Sequence, residues 1–171
     1  TVPGTFTVPA ADSLVLTGGS PTFTLVNNGL LVLQGVLTLN GTLTTAVGST
    51  MSVRSTGATS NSTVTIATGF TNNGAIEVTT AGAGYTTTLA VTTGTLINAA
   101  TGTTTSPAGA GGGRILTAQL NNQGTVAVPY ALTVNMASAA HTNAGAINVT
   151  GGTLTVNQSG TTPSFTNTGT I

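Results

Sequence analysis

Phe70-Thr71-Asn72-Asn73-Gly74-Ala75-Ile76-Glu77-Val78 carries the pattern on which the chain is built. An apolar residue is followed two places on by asparagine and two places later by glycine. Two more apolar residues follow at alternate positions. The pattern returns as Leu120-Asn121-Asn122-Gln123-Gly124-Thr125-Val126-Ala127-Val128 and as His141-Thr142-Asn143-Ala144-Gly145-Ala146-Ile147-Asn148-Val149. Further copies centre on Asn27-Asn28-Gly29 and Asn167-Thr168-Gly169, with a degenerate one at Asn98. The asparagines fall about 20–25 residues apart, with one gap of about two periods between Asn27 and Asn72. That period fits one coil of a β-solenoid and is too short for a propeller blade, which takes about 40 residues or more.

Between these copies runs a second element, an alternation of threonine with apolar residues. Thr5-Phe6-Thr7-Val8, Thr63-Val64-Thr65-Ile66 and Thr153-Leu154-Thr155-Val156 are examples. A period of two sends the apolar set to one face and threonine to the other, and β-branched residues suit the pleated backbone. No sustained 3.6-residue apolar period occurs, so almost no helix is expected. The Asn-x-Gly units predict corners, with glycine supplying positive φ. A turn ladder is therefore expected at Asn27, Gly29, Asn72, Gly74, Asn122, Gly124, Asn143, Gly145, Asn167 and Gly169. Its amides admit two readings, sugar binding or bonding to backbone and to the asparagine of the next coil; the second is preferred because an amide donates and accepts at once. Arg54 to Ser62, Thr79 to Tyr85 and Gly102 to Gly113 read as excursions from the coil.

The composition excludes most chemistry. Charged residues make up 2% of the 171, and they are Asp12, Arg54, Glu77 and Arg114 alone, for a net charge of zero. No electrostatic footprint for nucleic acid follows from this. There is no cysteine. No stretch of 18 apolar residues occurs, so no membrane-spanning helix is expected. Polysaccharide cleavage, the usual work of enzymatic β-helices, needs paired carboxylates, and here Asp12 and Glu77 would be coils apart. His141 takes an apolar position of its motif and reads as a packed imidazole. No catalytic residue, metal ligand or cofactor site is expected, and the chain is read as no enzyme. Four Asn-x-Ser/Thr sequons, at Asn40, Asn61, Asn148 and Asn157, are a weak signal in a chain with 41 threonines.

At Asn72/Gly74/Ile76/Val78, Asn122/Gly124/Val126/Val128 and Asn143/Gly145/Ile147/Val149 the chain resembles the repeats of large bacterial surface proteins, the filamentous adhesins and autotransporter passengers with right-handed parallel β-helices. The resemblance implies an extracellular or cell-surface rod serving as fibre, adhesin or surface-layer component.

The expected fold is all-β, a single right-handed parallel β-solenoid of about seven coils with uncapped ends, spanning residues 1–171 as one domain. Its core would include Phe23, Leu25, Leu37, Leu39, Ile76, Val78, Leu89, Val91, Leu120, Val126, Leu132, Val134, Ile147, Leu154, Val156 and Phe165. Thr1 and Val2 complete the motif begun by Phe165 to Ile171, so Thr1, Val2, Gly169 and Ile171 are expected at assembly ends. The expected function is structural: a unit of an extracellular bacterial fibre, stacked head to tail on copies of itself. Two alternatives are a segment binding cell-surface glycans and an ice binder using the outward pairs Thr42/Thr44, Thr63/Thr65 and Thr153/Thr155.

Overall fold

The computed structural model of the chain describes residues 4–57 and 60–171; Thr1 and Val2 lie outside the described residues. Seventeen strands and no helix are found among them. The strands pair in parallel, each with the strand one turn earlier or later, and the chain winds through about six turns of a β-solenoid. The period predicted about seven coils. The observed count is close to that, with turns of unequal length: successive asparagines of the motif are 26, 24, 21 and 24 residues apart.

Three faces result. Face A carries β1 (Thr5–Val8), β3 (Thr24–Asn27), β5 (Leu43–Thr45), the second halves of β7 (Ser62–Asn72), β9 (Thr87–Asn98) and β11 (Arg114–Asn122), then β14 (Ala140–Asn143) and β17 (Ser164–Asn167). Face B carries β2 (Ser13–Gly19), the first half of β4 (Leu30–Leu39), β6 (Thr50–Arg54), β8 (Ala75–Thr79), β10 (Thr103–Thr105), β12 (Thr125–Val128) and β15 (Ala146–Val149). Face C takes the second half of β4, the first halves of β7, β9 and β11, then β13 (Leu132–Asn135) and β16 (Leu154–Asn157). The long strands bend from one face to the next. Gly35, with φ 75°, marks the bend in β4, and register shifts between Thr68 and Phe70 and between Thr117 and Gln119 mark those in β7 and β11.

Alternation on each face sends one apolar row inward, and parallel register stacks these rows into columns. Leu31, Met51 and Ile76 lie in register on face B. Leu37, Val64, Leu89, Leu116, Val134 and Val156 do so on face C. Each fully buried side chain of this size contributes about 1.5–3 kcal/mol. No single coil could shelter these residues; the stack does.

Most of the expected core is buried, and Leu25, Leu39, Ile76, Val78 and Leu89 are sealed completely. Phe23, Leu154 and Val156 are only partly buried. Phe165 is a correction: it points inward in β17 opposite His141 but stays 38% exposed, because no strand of the described residues lies over it. The excursion expected at Gly102 to Gly113 is also shorter. Thr103–Thr105 form β10, in register with Ala75–Glu77 below and Thr125–Ala127 above, since β-branched threonines complete the ladder. The excursions that remain, 55–57 with 60–61, 80–86 and 106–113, follow β6, β8 and β10 and so occupy one corner, between faces B and C, in three successive turns.

Candidate functional site: the asparagine column and its surroundings

Asn27, Thr45, Asn72, Asn98, Asn122, Asn143 and Asn167 stand in register at the end of face A. All but Asn167 are buried. From Asn72 onward each amide donates to the carboxamide oxygen of the next turn, at 2.9, 2.8, 2.6 and 2.6 Å. The same Nδ2 of Asn122 also donates to its own corner at Gly124 O, 3.3 Å, and to Ala146 O in the next turn, 3.0 Å. Asn72, Asn98 and Asn143 repeat this pattern. Only a side chain with donor and acceptor on one planar group can serve corner, backbone and neighbour together. Thr45 fills the gap between Asn27 and Asn72: its Oγ1 donates to Asn72 Oδ1 at 2.9 Å and accepts from Asn73 N at 3.0 Å.

The glycines beside this column are there for a different reason from the one expected. Gly29, Gly74, Gly124, Gly145 and Gly169 do not have positive φ. A Cβ at Gly145 would sit 2.0 Å from Gly124 O, and one at Gly124 would sit 2.2 Å from Ala99 O. Gly29, Gly74 and Gly169 face the same obstruction from the turn below. Close stacking of corners excludes a side chain, where local conformation had been expected to. Gly48, with φ 81° and open space beside it, is a corner glycine of the conformational kind.

The threonine pairs divide between two faces. Thr44 is on face A in β5, preceded by Thr42, whose Oγ1 donates to Thr24 Oγ1 at 3.1 Å. Thr63 and Thr65 are on face C, in register with Thr88 and Ala90. Thr155 is also on face C but joins the row of Thr63, through Thr88, Ile115 and Thr133, leaving Thr153 outside β16. Gly169 abuts Gly145, and Ile171 is 73% exposed beside the bridge from Ala146 to Thr170.

Two titratable side chains are buried. His141 is 2% exposed, between Leu120 and Phe165 in the face A column. Its Nδ1 accepts the Leu120 backbone N–H at 3.2 Å, and its Nε2 is buried without a partner. Burial pushes the imidazole pKa below its ordinary value. Arg114 is 5% exposed at the start of β11, and burial lowers its pKa while the neighbouring Tyr130 opposes that shift. An arginine on this row was legible in the alternation: Leu120, Ala118 and Leu116 fix the inward parity, and Arg114 shares it. The two carboxylates stay apart, Glu77 half-exposed on β8 and Asp12 exposed ahead of β2.

Among the described residues no three His, Cys, Asp or Glu side chains gather in a way that could hold a metal ion, and no helix is long and apolar enough to cross a membrane. Comparison with known proteins gives no matching family model, no matching curated sequence and no matching solved structure.

Proposed function

We propose that the chain is a structural, non-catalytic solenoid unit of an extracellular bacterial fibre or surface filament, continued end to end by further coils of the same kind. The asparagine column carries this reading. From Thr45 to Asn143 every link of it hands a donor to the next turn, so coils of the same kind add to one continuous ladder. The near-absence of charge supports the same reading, since stacked coils meet little like-charge repulsion and have little colloidal protection from one another.

Electron microscopy at rising protein concentration tests the non-covalent form. Long rods of uniform width, with an axial repeat of about 30 Å for six turns at ~4.8 Å each, are expected. Discrete short particles at every concentration would sink self-stacking of this chain. The ice-binding alternative has thinner support, because Thr42/Thr44 and Thr63/Thr65 lie on different faces and Ile115 and Ala90 interrupt the rows on face C.

A further inference from the structure

We propose that Arg114 is an anion-binding residue and that the corner it occupies takes a carboxylate ligand. Arg114 belongs to an inward row of face C that runs from Ser62 through Thr87 to Arg114. The register of Ile115 with Thr133 places Leu132 next in that row, and Leu154 follows it. A leucine is thus what the row accepts one turn on. In place of one stands a cation that is 5% exposed.

Among the described residues it has the face of the Tyr130 ring beside it but no carboxylate opposite it. The only carboxylates are Asp12, before β2, and Glu77, which faces out from face B. Among the described residues the guanidinium makes one hydrogen bond, Nη1–H to Gly112 O at 3.4 Å, which is long. Its Nε–H is buried with no acceptor. Thr87 Oγ1, in register with it, and Thr80 Oγ1, at the start of the 80–86 excursion, are also buried without partners. Among the described residues the only other such atom is His141 Nε2, and of the four it is Arg114 Nε and Thr87 Oγ1 that stand on neighbouring rungs of one row. A buried cation without a carboxylate partner is costly to the fold. In a chain with two cations, a third partner from outside is the arrangement that removes that cost.

The chemistry of the donors names the ligand. A guanidinium presents parallel N–H groups that match the two oxygens of a carboxylate, and a threonine hydroxyl can add a further donor. Tyr130 lies with its ring centre 5.3 Å from the guanidinium carbon and is 47% exposed, so the corner meets solvent on that side. The acceptor a carboxylate would replace is the Gly112 carbonyl. It belongs to Gly111-Gly112-Gly113, where Gly111 and Gly112 have φ of 99° and 87°, with open space at Gly111 and close packing of Gly112 on the Tyr85 backbone. This inference stands independently of the stacking role.

The chain has two arginines, so the ¹⁵N–¹H spectrum of the whole protein holds two Nε–H signals, assigned by an Arg54→Lys variant. Titration with sodium acetate, against sodium chloride at equal ionic strength, is expected to move the Arg114 signal to saturation at millimolar concentration and leave Arg54 in place. A hexuronate monosaccharide is run in parallel. Binding tenfold tighter than acetate would identify an acidic sugar as the source of the carboxylate; equal binding would identify the carboxylate alone as what is read. Arg114→Lys, which keeps the charge and loses the planar fork, is expected to weaken acetate at least tenfold, read from the backbone N–H signals of Gly112 and Gly113 in both proteins. An Arg114 signal that does not move, or moves in parallel with Arg54, overturns the proposal. Arg114→Leu is expected to melt higher than the parent, and a lower melting temperature would show that the arginine supports the corner by itself.

Discussion

Asn122 lies directly beneath Asn143, and its amide donates to the Asn143 carboxamide oxygen at 2.6 Å, with both side chains sealed from solvent. The same amide receives the Asn98 donor at 2.8 Å from the turn below. Each asparagine therefore closes a corner and couples two turns, which ties the stability of a turn to that of its neighbours.

Asn122→Leu keeps the size of the side chain and removes all of these bonds. It leaves the Asn98 donor and the Asn143 acceptor buried and less satisfied. A loss of about 3 kcal/mol is expected from one to two such groups, read as a lower midpoint in denaturant unfolding. A change within 0.5 kcal/mol would mean that the column is not a source of stability.

Gly145→Ala and Gly48→Ala separate the two reasons for a corner glycine. At Gly145 the new methyl meets the Gly124 carbonyl at 2.0 Å, and backbone has to move in two turns. At Gly48 there is open space and only a φ of 81° to oppose alanine, a cost of about 1 kcal/mol. Thermal melting should rank Gly145→Ala as much the more damaging. The reverse order would contradict the stacking of the corners.

His141 makes stability depend on pH. Its folded-state pKa lies below the unfolded value of about 6.5. Below pH 6.5 the unfolded chain therefore binds the proton more readily, and stability falls until the folded pKa is passed. Protonation also puts a hydrogen on Nδ1, where the Leu120 N–H already points. Replacement by phenylalanine, the residue at the equivalent positions 70 and 165, should abolish the fall between pH 7 and 5. Melting curves of both proteins across that range check it, and an equal pH slope in the variant would remove His141 as the cause.

Ile147→Asp tests the inward register of β15. Ile147 is 3% exposed, opposite Val126 in the face B column. A carboxylate there has no partner, and a loss of at least ~4 kcal/mol is expected. Hydrogen exchange should show the opening centred on β12 and β15; unchanged melting would mean that the residue faces solvent.

The β-solenoid was legible in the sequence because its two signals are local. Alternation in Thr63-Val64-Thr65-Ile66 fixes which residues point inward, and the return of Asn-x-Gly fixes the length of a turn. Thr45 was not legible as a member of the asparagine column, since Thr45-Ala46-Val47-Gly48-Ser49 has no asparagine, carries its glycine one place late, and takes a four-residue turn closed by Ser49 N to Ala46 O at 3.1 Å. The Arg114 corner was legible only as parity. That the cation lies beside Tyr130 depends on which residue of the next turn comes to rest above it.

The sequence by itself determined an all-β chain, its inward rows, its corners and its scarcity of charge, because strand parity and turn chemistry act over a few residues. Only the tertiary structure decided register between turns. Register in turn decided that the threonine pairs part between faces A and C, that corner glycines yield space to the carbonyls below them, and that the orphaned polar groups of Thr87 and Arg114 stand on neighbouring rungs. These contacts join residues about 20–30 positions apart, where unequal excursions shift the count and no local preference records the partner.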